Sequence, residues 1–164
     1  AGAFGTETWQ RVLQVQTVDR HGEVRSRAPE DFDIGYRHVR GPEGEWFLST
    51  LLVGKSGDVE AGRREIRRLL ERRAETQPIG LASCGSVFRN PEGDYAARLI
   101  ERCGLKGTCV GGACVSEKHA NFIVNLGGAK AADIEALVRY VQSQVKQQHG
   151  VWLEPEVRIV GEFE

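Results

Sequence analysis

Val12-Leu13-Gln14-Val15-Gln16-Thr17-Val18-Asp19-Arg20-His21-Gly22-Glu23-Val24-Arg25-Ser26-Arg27 decides the class of fold. Val12, Gln14, Gln16 and Val18 alternate with Leu13, Val15 and Thr17, and β-branched residues dominate, so Val12–Val18 reads as a strand. Asp19-Arg20-His21-Gly22-Glu23 supplies turn chemistry, with Gly22 free to take a positive φ. A second strand over Val24–Arg27 completes a hairpin, and Pro29 ends it. A sheet that opens on a hairpin is antiparallel there, without a helical crossover.

Beyond the hairpin, Glu30–Ile34 reads as a short helical turn closed by Gly35, and Gly41-Pro42-Glu43-Gly44 as a loop. Trp46–Val53 reads as a well-buried strand. Gly54-Lys55-Ser56-Gly57 breaks the pattern. Asp58 can then cap a helix to about Gln77, ahead of Pro78, with Ile66, Leu69, Leu70 and Ala74 at helical spacing. Asp94 can cap a helix over Tyr95–Cys103, ended by Gly104. Thr108–Val110, Ala113–Val115 and Asn121–Leu126 are strand candidates. Ala131–Gln148 is the longest helix, with Ile134, Leu137, Val138, Val141 and Val145 on one face and Gly150 at its end. Val151–Val160 is expected as a last strand interrupted by Pro155. Strands and helices are mixed, and the class is α+β.

The bulk numbers narrow the function. Apolar residues make up 40% of the 164 residues, and the formal net charge is -1. No charge excess calls for nucleic acid. The arginines at 63, 64, 67, 68, 72 and 73 share their helix with glutamates at 60, 65, 71 and 75, which interrupt any basic field. A membrane span takes about 20 apolar residues, and no run approaches that, so no membrane is expected. The cysteines stand at 84, 103, 109 and 114 without a CxxC pair, so a metal site is not expected; they read as free, mostly buried thiols of a cytoplasmic protein. The chain has no methionine and opens on Ala1-Gly2-Ala3-Phe4-Gly5, which reads as a turn inside a domain and suggests a fragment.

Four clusters carry polar groups suited to chemistry. In Gly85-Ser86-Val87-Phe88-Arg89-Asn90-Pro91, a glycine before a serine lets the backbone turn and expose the hydroxyl. The second glycine of a nucleophile elbow is missing, so an acyl-enzyme serine is not supported, and locally Ser86 reads as a turn residue. Ser116-Glu117-Lys118-His119-Ala120-Asn121 gathers polar groups just before an apolar strand, which suits either a binding loop or an ordinary exposed one. Gly35-Tyr36-Arg37-His38 sets an arginine beside an aromatic, for anion capture or for a surface ion pair. Glu154-Pro155-Glu156-Val157-Arg158 would put Glu156 and Arg158 on one face of a strand.

Taken in order, these motifs resemble the UDP-N-acetylenolpyruvoylglucosamine reductases over essentially the whole chain. The resemblance rests on Ala1-Gly2-Ala3-Phe4-Gly5, Gly35-Tyr36-Arg37, Gly85 to Pro91, Gly104-Leu105-Lys106-Gly107, Gly111-Gly112-Ala113, Ser116 to Phe122 and Glu154 to Arg158. It implies an enzyme using FAD and NADPH to reduce UDP-N-acetylglucosamine enolpyruvate to UDP-N-acetylmuramate for peptidoglycan. Ser86 matches the proton donor, Arg37 the arginine that meets the substrate carboxylate, and Glu156 the second residue of that pair. Asn90 matches a contact to the diphosphate, with Tyr36, Lys118, His119 and Asn121 on the substrate side. Gly2, Ala3 and Gly5 match the flavin side.

The resemblance also implies a division. Residues 1–53 form the C-terminal portion of an FAD-binding domain, 54–150 the substrate-binding domain, and 151–164 a strand returning to the first. The missing partner is the N-terminal FAD-binding portion of the same protein, without which the chain is expected to bind FAD weakly or not at all. The alternative is a catalytically inactive UDP-sugar-binding fragment. Val53 to Asp58 leaves no room for the tyrosine-bearing loop that some members carry after the arginine motif, so the chain resembles the shorter type.

Overall fold

The structure is a computed structural model that describes residues 2–161. The chain divides into two compact units, Ala1–Val59 and Glu60–Glu164.

In the first unit, β1 (Gly2–Ala3) pairs with β2 (Thr6–Glu7), followed by a 3₁₀ turn at Thr8–Arg11. The expected strand is β3 (Val12–Asp19), and the expected hairpin partner is β4 (Val24–Arg27). With β7 (Glu45–Leu52) they form an antiparallel sheet in the order β4-β3-β7. Between them, Pro29–Asp31 is a 3₁₀ turn, and β5 (Asp33–Gly35) pairs with β6 (His38–Arg40). The helical turn expected over Glu30–Ile34 is therefore shorter. Its second half is strand, because pairing with β6 satisfies backbone groups that an isolated turn leaves open.

One face of this sheet holds Val15 and Thr17, both buried, and the rings of Trp9, Phe32 and Phe47 cluster within it, Phe32 stacking on Phe47 at 5.5 Å. Arg27 and Thr17 both bond the Glu45 carboxylate, which closes the sheet end. Strand β7 forms where expected, but its burial does not follow: Trp46 is 56% and Leu52 51% exposed. A strand apolar on both faces is buried only when layers cover both, and three strands with short hairpins supply no second layer.

Helix α1 (Val59–Thr76) follows and buries no residue; the apolar positions Ile66 and Leu70 are exposed, and Arg63 pairs with Glu60 and Arg68 with Glu65. Next come β8 (Ala82–Ser86), α2 (Ala96–Arg102), β9 (Cys109–Val110), β10 (Ala113–Val115), β11 (Phe122–Asn125) and α3 (Ala131–His149). The strands form an antiparallel sheet in the order β8-β11-β10-β9. Helix α3 lays Leu137, Val138, Val141 and Val145 into the core against Val115, Ile123 and Ile100. Each such burial is worth roughly 1.5–3 kcal/mol, which is what fixes the helix on the sheet. Gly150 ends α3 in the left-handed region at φ 73°.

Two expectations fail here. Val151–Val160 is not a continuous strand; its one ladder contact is an isolated bridge between Phe88 and Pro155. Pro155 has no N–H to give a ladder, so neighbouring residues carry the pairing. The cysteines are not all free and buried: Cys109 and Cys114 face each other across β9 and β10 and form a disulfide, with Cα atoms 4.1 Å apart, while Cys84 is exposed and Cys103 half-buried. Among the described residues no group of three or more His, Cys, Asp or Glu could hold a metal ion, and no helix is long and apolar enough to cross a membrane.

Candidate active site

In the first unit, Tyr36 and Arg37 are the tip of the β5–β6 hairpin, since Gly35 pairs with His38. Arg37 sits at φ 57°, in the left-handed region where a side chain is strained. Its guanidinium lies 5.8 Å from the centre of the Tyr36 ring, and Tyr36 is 65% exposed. His38 Nε2 bonds Asp33 Oδ2 at 2.8 Å across the same hairpin. The tip of the β1–β2 hairpin is Phe4-Gly5, with φ 53° and 80°, the positive pair of a tight turn. A methyl group built on Gly5 would meet no heavy atom within 4 Å. Ala1 lies outside the described residues, and Gly2 and Ala3 form the first strand.

In the second unit, Ser86 ends β8 opposite Phe122, while Ser83 stands opposite Val124. Cys84 and Gly85 thus oppose the single residue Ile123, which is a β-bulge, and Gly85 takes φ 83° there. The serine expected in a turn is a strand residue re-aimed by this bulge. The segment after it is held from two sides. Val87 N–H donates to Asn121 O at 2.9 Å, and Val87 O accepts from Glu156 N–H at 2.7 Å. Arg89 N–H donates to Glu154 O at 2.9 Å. The tail is in turn anchored by Gln142, whose Nε2 donates to Leu153 O at 2.8 Å from inside α3.

These bonds set Glu156 beside the residue that follows Ser86, although the two lie far apart in sequence. Glu156 is half-buried. Arg158 does not share a strand face with it, because no strand forms; Arg158 instead lines a cavity of about 610 Å³ with Cys84, Ile134, Val138 and Val157. None of the expected site residues lines that cavity.

The other sequence-derived residues have definite partners. Asn90 Oδ1 accepts from Ala96 N–H at 3.1 Å, so Asn90, rather than Asp94, reaches the first amide of α2. Asp94 accepts from Tyr95 N–H and Arg98, and those bonds hold its carboxyl below the usual carboxylate range, the Arg98 bond most. Lys118 Nζ donates to Ala74 O near the end of α1 at 2.9 Å. His119 Nδ1 accepts from Asn121 N–H at 3.3 Å, and its ring meets Phe122 edge-on at 4.8 Å. Burial pushes the His119 imidazole down, so its neutral form is favoured.

Asn121 is buried, and both ends of its amide bond the main chain of Phe88. Ser116, not singled out from the sequence as a site residue, is also buried; its hydroxyl accepts from the amides of Lys118 and His119. A serine two residues ahead of a polar loop is the sequence signal for such a turn.

Comparison with known proteins adds an independent line. Residues 77–160 match the family model described as UDP-N-acetylenolpyruvoylglucosamine reductase, C-terminal domain. The chain is 62% identical over 162 residues to the UDP-N-acetylenolpyruvoylglucosamine reductase of Alkalilimnicola ehrlichii, covering 99% of this chain and 54% of the relative. It is 64% identical to the enzyme of that name from Methylococcus capsulatus, covering 99% of this chain and 53% of the relative. The crystal structure of UDP-N-acetylenolpyruvylglucosamine reductase from Thermus caldophilus superposes with a TM-score of 0.81 at 35% identity, covering 96% of this chain and 56% of that one. The chain spans about half the length of the curated relatives it matches.

Proposed function

The chain belongs to the UDP-N-acetylenolpyruvoylglucosamine reductase family, and from that premise we propose that it forms the C-terminal half of an NADPH-dependent flavoenzyme of peptidoglycan synthesis. The reaction is reduction of UDP-N-acetylenolpyruvoylglucosamine to UDP-N-acetylmuramate. In this reading residues 1–53 contribute to the FAD-binding domain and residues 54–150 form the substrate-binding domain. In this reading the protein works in the cytoplasm.

One feature of the first hairpin supports the flavin assignment. The Phe4-Gly5 turn leaves Gly5 with open space where a side chain would stand, which suits close approach of a planar ring. Gly2, Ala3 and Gly5 would hold part of FAD, the remaining contacts coming from the N-terminal half. When bound and reduced by NADPH, FAD supplies the hydride.

The protein side chains then face two demands. Hydride arrival at C3 of the enolpyruvyl group leaves negative charge at C2, shared with the carboxylate as an enolate. Arg37 meets that carboxylate, where fixed positive charge offsets the developing charge. Ser86 delivers the proton to C2, which a hydroxyl can do because the enolate is strongly basic and held within hydrogen-bond reach. Glu156 is the second member of the substrate-side pair. Asn90 serves the diphosphate through the amide nitrogen that its bond to Ala96 leaves available, and Tyr36, Lys118 and His119 are assigned to the substrate by the family resemblance.

The observation that carries the reading is the 2.7 Å bond from Glu156 N–H to Val87 O, which sets the carboxylate-bearing tail against the serine-bearing strand. The test is Ser86→Ala in the full-length reductase. Flavin reduction by NADPH should keep its rate, while reoxidation by substrate should fall by roughly 100-fold or more, the scale of a positioned proton donor. Equal rates in both half-reactions would remove Ser86 from the mechanism.

A further inference from the structure

We infer that Asn121 is a positioning residue whose side-chain amide, acting through the backbone of Phe88, holds the Ser86 bulge and the Glu156 tail in one frame; this rests on the proposed roles of Ser86 and Glu156. Asn121 is only 4% exposed. Its Nδ2 donates to Phe88 O at 2.8 Å, and its Oδ1 accepts from Phe88 N–H at 3.0 Å. The orientation of the amide is set by its partners, because reversing it would face donor to donor and acceptor to acceptor. The side chain thus does for Phe88 what a neighbouring peptide group does in a strand.

The position explains why this is needed. Regular pairing of β8 with β11 ends at Ser86, directly after the bulge at Cys84-Gly85. The bulge bends the strand, and beyond Ser86 the residues Val87 and Phe88 have no partner in the β8–β11 ladder. Val87 and Phe88 are nevertheless buried, and a buried amide without a partner is costly. Asn121 supplies the partners on one side: its own carbonyl takes Val87 N–H, and its side chain takes both polar groups of Phe88. On the other side, Glu156 N–H and Glu154 O bond Val87 and Arg89. Ser86 and Glu156 are therefore each one or two main-chain bonds from the clamp that Asn121 closes. Fully satisfied buried polar networks rigidify what they touch, and a proton donor displaced by an ångström loses much of its effect. Asn121 has no role against substrate in this assignment, since both its polar atoms are engaged inside the unit.

The experiment compares Asn121→Asp and Asn121→Ala with the wild type in the full-length reductase. Asn121→Asp keeps size and the acceptor for Phe88 N–H but sets a carboxylate oxygen against Phe88 O; it serves if Asn121→Ala does not fold. Reoxidation of reduced flavin by substrate should slow about tenfold or more, with flavin reduction by NADPH and the substrate KM unchanged. The solvent deuterium isotope effect on reoxidation should rise, because proton delivery becomes the slower step. Loss of fold stability alone does not change that isotope effect. Amide exchange should quicken at Val87–Arg89 and at Glu156 and Val157 and stay unchanged in α3. Wild-type reoxidation and isotope effect in Asn121→Asp, alongside slow reoxidation in Ser86→Ala, overturns the inference while the role of Ser86 stands. Wild-type reoxidation in Ser86→Ala overturns the reading on which it rests.

Discussion

Gly112 passes so close to Gly127 that a methyl group on it would stand 2.4 Å from the Gly127 carbonyl oxygen and 2.7 Å from the Ala129 amide nitrogen. The contact joins the Gly111-Gly112 turn between β9 and β10 to the link between β11 and α3. Leu126 N–H donates to Gly112 O at 2.9 Å in the same place. Both obstructing atoms are backbone, so the neighbour cannot rotate away. Gly112→Ala is expected to destabilise the protein by about 1–3 kcal/mol, the range for forced overpacking. Gly128→Ala is the control: Gly128 has φ 72° but open space around its Cβ position, so only the backbone conformation is strained. Denaturant unfolding of both variants checks this. A Gly112→Ala protein no less stable than wild type would mean that the two turns separate freely.

Such close approaches show where sequence reading stops. Alternation at Val12–Val18 and the 3–4 spacing of Leu137, Val138, Val141 and Val145 were enough to find β3 and α3, because each has one face that must be buried and the period reports it. Strand β8 was invisible: Ala82-Ser83-Cys84-Gly85-Ser86 has no β-branched residue, and it exists because β11 pairs with it. The bulge that presents Ser86 was legible only as a glycine before a serine. The tail over Val151–Val160 reads as a strand, yet with Pro155 in it the pairing reduces to scattered main-chain bonds onto Val87 and Arg89. The Cys109–Cys114 bond lies outside local patterning altogether. It depends on a two-residue turn that brings both cysteines to facing positions, whereas compartment alone argued for thiols. Asn121 matches a substrate-side position by resemblance, whereas its amide bonds the main chain of Phe88; a sequence cannot tell an amide facing a ligand from one facing a neighbouring backbone.

His119 gives the protein a pH dependence of known sign. Burial is the main cause that lowers its imidazole from the ordinary 6.5, with the Lys106 charge adding to it and a backbone bond and Glu101 opposing. The unfolded chain therefore takes up this proton at a higher pH than the folded chain does. Stability from this group is full above the ordinary value and falls as pH drops through the window between that value and the lowered one. Unfolding free energy measured in urea should rise with pH across that window, and His119→Gln should flatten the dependence. An unchanged slope in the variant would show that other groups set it.

Under the proposed function, Arg37 would set stability against function at a single residue. An L-residue in the left-handed region costs about 1–2 kcal/mol, which glycine avoids. Glycine also loses more freedom on folding, by about 0.5–1 kcal/mol, so the net gain is smaller than the strain. Comparing Arg37→Gly with Arg37→Ala isolates the backbone, because both variants lose every contact of the guanidinium. Arg37→Gly is expected to be the more stable of the two by about 0.5–1 kcal/mol, the strain less glycine's extra entropy cost. Under the proposed function both should lose substrate turnover in the full-length reductase, since neither carries the guanidinium assigned to the substrate carboxylate. If Arg37→Ala matches Arg37→Gly in stability, the hairpin tip does not hold its φ of 57° in solution. In that case the guanidinium is delivered by a mobile tip, and a lysine at position 37 should then recover part of the turnover. A strained and fixed tip instead requires the planar fork of arginine, and Arg37→Lys should stay close to inactive.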